Sequence, residues 1–236
     1  MMFQRKKKKS TSMSRKIVTA THPKSINAEQ YRTVRTNINF SMPDQELHTL
    51  LVTSASPSEG KSTSASNIAI VFAQEGKKVL LIDADMRKPT MHHTFKVQNA
   101  YGLSNVLTRQ CEAKEAIQRS EIENLWILTS GPIPPNPAEL LASKNMTALT
   151  EQLSEEFDLL LFDTPPILSV ADAQIVSNKV DGTILVINTG KSEKDSAIKA
   201  KELLLAAKAN ILGVILNNFN IGKDHYYYQY YGSVEE

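Results

Sequence analysis

The segment Ala55-Ser-Pro-Ser-Glu-Gly-Lys-Ser62 carries the densest chemical signal in this 236-residue chain. It follows the phosphate-loop pattern GxxxxGK[ST], with alanine in place of the first glycine. Each part has a physical reason. Successive backbone N–H groups at a helix start point at a polyphosphate, and a glycine at position 60 lets the backbone approach it without a Cβ. Lys61 supplies a cation to the β and γ phosphates, and the Ser62 hydroxyl can ligate Mg²⁺. Ser58, Glu59, Gly60, Lys61, Ser62 and Thr63 are therefore expected around the phosphates of a nucleoside triphosphate. The bland alternative is a serine-rich turn ahead of a helix.

Two acidic stations strengthen the chemical reading. Leu80-Leu-Ile-Asp-Ala-Asp-Met-Arg87 places Asp83 and Asp85 at the exit of an apolar run, and Leu159-Leu-Leu-Phe-Asp163 ends a second run in an acid. Each alone could be a strand-ending carboxylate. Together with the lysine loop, at the carboxyl ends of parallel strands, they describe a site for Mg²⁺ and a nucleoside triphosphate.

A third feature needs a different explanation. Five of the seven tyrosines fall within Asp224–Gly232, as Tyr226, Tyr227, Tyr228, Tyr230 and Tyr231. Adjacent rings in a strand would point to both faces, so a core role leaves phenols without partners. The segment is expected to be exposed, either for chemistry on the hydroxyls or as a sticky interaction segment.

These residues require an alternating scaffold. From Thr49 onward apolar runs read as strands at 49–54, 78–83, 125–130, 158–163, 182–187 and 210–217. Helical patterns lie between them at 61–75, 103–108, 112–119, 137–155, 171–179 and 193–209. That alternation predicts an α/β fold, a mostly parallel sheet with helices on both faces, and near-continuous apolar runs predict strands covered on both sides. Asn136 and Pro137 suit a helix start. Upstream, a helix is expected from Asn27, with Gln30 completing a capping box. Tyr31, Val34 and Ile38 would face the core, while Glu29, Arg32 and Arg35 fall on the opposite arc, where a merely solvated face is the plain reading.

Composition bounds the rest. A chain 41% hydrophobic and 22% charged is ordinary for a globular domain. No apolar run is long enough to span a bilayer and no signal peptide opens the sequence, so a cytoplasmic location is expected. Cys111, the single cysteine, excludes an internal disulfide and is read as a packing residue. Seven of the 27 basic residues lie within Met1–Lys16 and none of the 25 acidic ones does, leaving the body acidic and arguing against a nucleic-acid surface. The arm itself could touch anionic lipid or be a solvated end. Three regions are expected: a basic arm at 1–20, a single domain at 21–220 and a tyrosine-rich tail at 221–236. His92 and His93 are read as polar surface residues, since no metal-ligand spacing pairs them. Asn217 and Asn218 could read an adenine edge or form a turn.

The combination resembles the bacterial tyrosine kinases of capsule and exopolysaccharide synthesis, phosphate-loop proteins related to the partitioning and septum-site ATPases. The resemblance covers nearly all of the chain after the basic arm. It rests on an ExxRxxR element (Glu29, Arg32, Arg35), the phosphate loop, the DxDxR core within Leu80–Arg87, the third motif at Leu159–Asp163 and the terminal tyrosines. It is closest to the Gram-positive form, in which the kinase chain is separate from its membrane-embedded activator. Ser58 stands where that family usually has glycine. The extra loop lysine of the partitioning ATPases has no counterpart here, and the HRDxxxxN and DFG patterns of eukaryotic kinases do not occur.

The resemblance implies a tyrosine kinase that uses ATP and Mg²⁺, phosphorylates its own tail in trans at the five tyrosines, and acts on other tyrosine-bearing proteins. Lys61, Asp83 and Asp85 would be catalytic. Ser62, Asp85 and Asp163 would hold the metal, with Asp83 taking or orienting the phenolic proton, although spacing does not divide the parts of Asp83 and Asp85. Glu29, Arg32 and Arg35 would join subunits into a ring, and the charge that each phosphate adds to the tail leads us to expect that phosphorylation dismantles it. A transmembrane activator would recruit the chain to the inner membrane face, and a cognate tyrosine phosphatase would oppose it. The runner-up is a positioning ATPase without kinase activity.

Overall fold

Seven strands form one sheet in the order β3-β4-β2-β5-β1-β6-β7, in a computed structural model that describes residues 17–43 and 46–219. They are β1 (Thr49–Ser54), β2 (Val79–Asp83), β3 (Ile117–Arg119), β4 (Leu125–Leu128), β5 (Leu159–Asp163), β6 (Gly182–Asn188) and β7 (Ile211–Asn217). All neighbours pair in parallel except β3 with β4. The helices are α1 (Val18–Thr21), α2 (Ile26–Phe40), α3 (Lys61–Gln74), α4 (Met91–Phe95), α5 (Leu103–Leu107), α6 (Ala113–Ala116), α7 (Pro137–Ala142), α8 (Lys144–Glu156), α9 (Asp172–Ser177) and α10 (Lys194–Ala206).

Strand parity builds two cores. Leu50 and Val52, Val79 and Leu81, and Leu159 and Leu161 point to one face, where Ile68, Ala69 and Phe72 of α3 cover them. Leu51, Leu80, Ile82, Leu160 and Phe162 point to the other, under Leu149 and Leu153 of α8. β1, β2 and β5 are buried along their whole length, as expected of strands covered on both sides. β7 departs from that expectation. At the sheet edge Val214 and Leu216 remain half exposed, while Ile211 at the start of β7 packs against the cluster that holds Leu185 of β6 and Ala200 and Leu204 of α10.

Other differences are local. α2 begins earlier than the Asn27 capping box predicts: Ser25 is the cap, accepting from the Ala28 N–H at 3.2 Å. The helix expected over 112–119 lasts only to Ala116. Its β-branched and polar end, Ile117–Arg119, turns into an antiparallel edge strand on β4. The 137–155 helix is two, broken at Ser143, whose hydroxyl accepts from Met146 N and starts α8. Pro137 opens α7 as predicted, while Asn136 gives its side chain to Glu139 rather than to the backbone. α1 and α4 have no counterpart in the sequence reading. α1 also moves the edge of the N-terminal region inward, since Thr19 is fully buried and bonded through both backbone and hydroxyl to Asn67 Oδ1. Cys111 is partly buried against the α8-side core, in keeping with a packing role. His93 is exposed and His92 half buried, with burial pulling the His92 imidazole below its usual range. Among the described residues no helix is long and apolar enough to cross a membrane.

Candidate active site

Because β1, β2, β5, β6 and β7 run in parallel, their carboxyl ends share one edge, and the candidate residues leave the sheet there. β1 feeds the loop Ala55–Gly60, which turns into α3 at Gly60 with φ +96°. No side chain caps α3, so its first-turn N–H groups retain their anion-binding capacity. Alanine at position 55 is explained by its geometry: it is fully buried and does not adopt the left-handed backbone that would require glycine. The left-handed position is instead Ser58, φ +66°, where the family resemblance expects glycine. A left-handed L-residue costs about 1–2 kcal/mol. Ser58→Gly is therefore expected to fold at least as stably as the parent. A thermal midpoint lowered by more than about 2 °C would contradict a strained loop, since about 1 kcal/mol moves a domain of this size by roughly 2–4 °C.

Lys61, first residue of α3, folds into the sheet edge. Its Nζ donates to Asp85 Oδ2 at 3.0 Å, Asp163 Oδ1 at 3.3 Å and Ser62 Oγ at 3.1 Å. Burial alone would pull its ammonium pKa down, but attraction to Asp163 and Asp85 outweighs this and raises it. Asp83 and Asp163 end neighbouring strands in direct register, and both are fully buried. Asp83 Oδ2 accepts from Thr90 N and Met91 N, each at 2.9 Å, while its Oδ1 is buried with no hydrogen-bond partner. Burial first, and then the Asp163 charge, push the Asp83 carboxyl up to about 7 against the two amides and Lys61. Asp85 differs: Lys61 holds Oδ2, and the Lys88 amide donates to Oδ1 at 3.0 Å. Lys61, Ser62, Asp83, Asp85 and Asp163 thus meet at one place, as the sequence implied.

Two predicted residues, Arg35 and Asn217, make contacts the sequence did not foresee. Arg35 is not on a solvated arc. Its Nη1 donates to Val71 O at 2.8 Å, a carbonyl of the last turn of α3, and its Nε lies 3.4 Å from Glu75. Arg32 pairs with Glu29 at 2.7 Å on the surface. Arg35→Ala is expected to destabilise the fold by about 1.5–3 kcal/mol and Arg32→Ala by under about 1 kcal/mol; denaturant midpoints of the two variants measure the difference. Asn217 Nδ2 donates to Glu59 O at 2.9 Å and its Oδ1 accepts from Asn218 N, so the side chain braces the phosphate loop. Thr63 lies on α3 with its carbonyl accepting from Asn67. The five tyrosines and most of the basic arm lie outside the described residues.

The structure also adds Asp172, which the sequence did not single out, and gives Glu59 partners outside its loop. Asp172, fully buried at the start of α9, receives Arg87 of the DxDxR core in a two-point ion pair, both distances 2.9 Å, tying the loop after β2 to that after β5. Glu59 is buried and bonded through both carboxylate oxygens. Nothing in their spacing distinguishes Asp172 from an ordinary first-turn acid. Glu59 was visible only as part of the loop pattern.

Comparisons with known proteins agree with this geometry. Residues 57–200 match the family model described as AAA domain. The chain is 52% identical over 228 residues, 97% of its length and 96% of the relative's, to "Tyrosine-protein kinase YwqD" of Bacillus subtilis strain 168. Among solved structures, "Crystal structure of the chimerical protein CapA2B2" superposes with a TM-score of 0.84 at 41% identity, covering 86% of this chain and 89% of that one. The cell division ATPase MinD of Pyrococcus furiosus superposes at TM-score 0.64 and 23% identity over 75% of this chain and 74% of its own, a likeness of fold alone.

Proposed function

The chain belongs to the bacterial tyrosine-protein kinases of capsule and exopolysaccharide synthesis, and from that premise we propose that the cluster around Lys61 is the site at which it transfers phosphate from Mg·ATP to tyrosine. The observation that carries this reading is the convergence of Lys61 with Asp85 and Asp163, beside Asp83, at the mouth of an uncapped phosphate-loop helix.

The residues suit the cofactor. Mg²⁺ takes hard oxygen ligands and keeps several waters, so the Ser62 hydroxyl with Asp85 and Asp163 is a sufficient protein contribution. When bound, the ion would offset charge on the phosphates. The chain's own parts do the rest. Loop amides and Lys61 hold the β and γ phosphates, which requires the Lys61 ammonium to move from the carboxylates to the nucleotide.

Asp83 is the proton acceptor of this scheme. As the γ-phosphoryl leaves the ADP oxygen and bonds to the tyrosine oxygen, the phenolic proton passes to Asp83 Oδ1, the oxygen that carries no hydrogen bond. A tyrosine hydroxyl titrates near 10. A carboxyl raised to about 7 narrows that gap relative to an ordinary aspartate, which favours assisted transfer late in the reaction. Asp85, held by Lys61 and the Lys88 amide, is assigned in this scheme as the metal-side acid.

The tyrosines of a second copy are the first acceptors, Tyr226, Tyr227, Tyr228, Tyr230 and Tyr231, with other tyrosine-bearing proteins as further substrates. Glu29, Arg32 and Arg35 join copies into a ring. A phosphotyrosine adds about −1.5 to −2 charges, so a modified tail fits poorly beside a nucleotide and the ring comes apart. A transmembrane activator brings the chain to the inner membrane face, and a tyrosine phosphatase resets it. The domain that begins at α1 serves as the kinase domain, flanked by the arm and tail. Arg32→Ala is the cleaner probe of assembly, because Arg35 also supports the fold. The test of the whole reading is to incubate the purified chain with Mg·ATP and an activator's cytoplasmic fragment and map phosphotyrosine by mass spectrometry. Label at Tyr226–Tyr231 supports it. Hydrolysis of ATP with no labelled tyrosine would favour a positioning ATPase instead.

A further inference from the structure

A carboxylate inside an anion-binding loop is electrostatically out of place, yet Glu59 sits immediately before Gly60 and is only 1% exposed. Its oxygens are both engaged. Oε2 accepts from Ser56 N at 2.9 Å, closing the loop on itself. Oε1 accepts from the Ser192 hydroxyl, in the loop that leaves β6. Ser192 is itself fixed, its Oγ accepting from Asn188 N at 2.9 Å and its N–H donating to Asn188 O at 2.7 Å. From the third side Asn217, at the end of β7, donates to the Glu59 carbonyl at 2.9 Å. The contact is so close that a Cβ on Gly60 would lie 2.1 Å from Asn217 Nδ2. Thr189 N donates to Asn217 O at 3.1 Å, which links the ends of β6 and β7 to each other as well.

We propose that Glu59 is a positioning residue for the nucleotide: through Ser192 and Asn217 it clamps the phosphate loop to the ends of β6 and β7 and holds the loop amides in their phosphate-binding shape. The inference rests on the reading of Ala55–Ser62 as the ATP phosphate loop and extends it to two residues distant in sequence. Both oxygens of the buried Glu59 carboxylate are taken up by Ser56 and Ser192, so its charge serves the joining of loops. The clamp also gives Gly60 a second reason to be glycine, independent of its φ of +96°. The two donors lie 133 residues from Glu59 in one case and three in the other, and together they occupy both of its carboxylate oxygens.

The test measures fluorescent ADP binding to the full chain and its Glu59→Ala, Glu59→Gln, Ser192→Ala and Glu59→Ala/Ser192→Ala variants, alongside kcat and KM for ATP. Glu59→Ala is expected to raise the ADP Kd about tenfold and Ser192→Ala about threefold, with the double variant no weaker than Glu59→Ala, as for residues acting as a unit. Glu59→Gln keeps an acceptor for Ser56 and should recover most of the affinity. KM for ATP should rise far more than kcat falls, which a merely structural loss would not produce. An unchanged Kd in Glu59→Ala, or losses that multiply in the double variant, would overturn the clamp. If Glu59→Ala does not fold, Ser192→Ala decides: an unchanged ADP Kd in that variant overturns the clamp. Binding is read without phosphotransfer, so absence of kinase activity in the parent chain would count against the kinase reading while the ADP affinities would still decide for or against the clamp.

Discussion

Lys61→Met is expected to lower phosphotyrosine formation by about three orders of magnitude, because one preorganised charge aimed at the transferring group is worth about 10²–10³ in rate and Lys61 also organises the acids around it. The variant has a second phenotype that ordinary loss of a phosphate ligand would not show. In the structure the Lys61 ammonium is the counter-ion of Asp85 and Asp163, with Asp83 at its back. Methionine leaves those carboxylates without a cation in a nearly dry site, and removing one member of a buried pair typically costs about 3–5 kcal/mol. Some of that loss is relieved as the acids take up protons, so the deficit should shrink at low pH. Added Mg²⁺ should raise the thermal midpoint of Lys61→Met more than that of the parent, since the ion replaces the missing charge. Equal Mg²⁺ responses in the two proteins would show that Lys61 does not neutralise the cluster.

Asp83→Asn carries the second large effect, and here activity and stability move in opposite directions. Loss of a positioned proton acceptor is expected to lower kcat about 10²–10⁴-fold. Stability follows from linkage. The folded-state carboxyl titrates near 7, against an ordinary value of 3.8, so between those values the folded protein holds a proton that the unfolded chain has released. In that window stability falls as pH rises, and above about 7 the full penalty of a charged, buried Asp83 is present. Asparagine cannot ionise, and its amide oxygen can still accept from Thr90 and Met91. The metal-free variant should therefore be more stable than the parent at pH 8, and this advantage should diminish as pH falls toward 4. Urea midpoints across that range measure it. A variant that is less stable than the parent at pH 8, by the same margin as at pH 5, would mean Asp83 carries no titration penalty.

Much of this site was legible in the sequence because its parts obey local rules. A phosphate loop must join a strand to a helix, and acids at strand ends in a parallel sheet must emerge at one edge. Lys61, Ser62, Asp83, Asp85 and Asp163 meet for those reasons alone. Elements failed to be legible where a tertiary contact overrides a local pattern. Ile117–Arg119 continues a helical pattern but is captured by β4, and Ser143 interrupts a periodic stretch because its hydroxyl caps the second half. Arg35 reads as a solvated charge on the α2 wheel, yet the carbonyl end of α3 lies within its reach. Glu59 and Asn217 show the same limit within the site. Their types suggested phosphate-loop and base contacts, whereas their bonds join loops 158 residues apart, a distance that no motif spans.

The decisive measurement is transfer between two chains that are each incapable of labelling themselves. One carries Lys61→Met with its tyrosines intact, and the other keeps Lys61 but has Tyr226, Tyr227, Tyr228, Tyr230 and Tyr231 replaced by phenylalanine. Incubated with Mg·ATP and the activator fragment, the mixture should acquire phosphotyrosine on the Lys61→Met chain, and neither chain should acquire it there alone. Label on the isolated Lys61→Met chain, or none in the mixture when the unaltered protein labels readily, would contradict a Lys61-centred site acting on a neighbour's tyrosines.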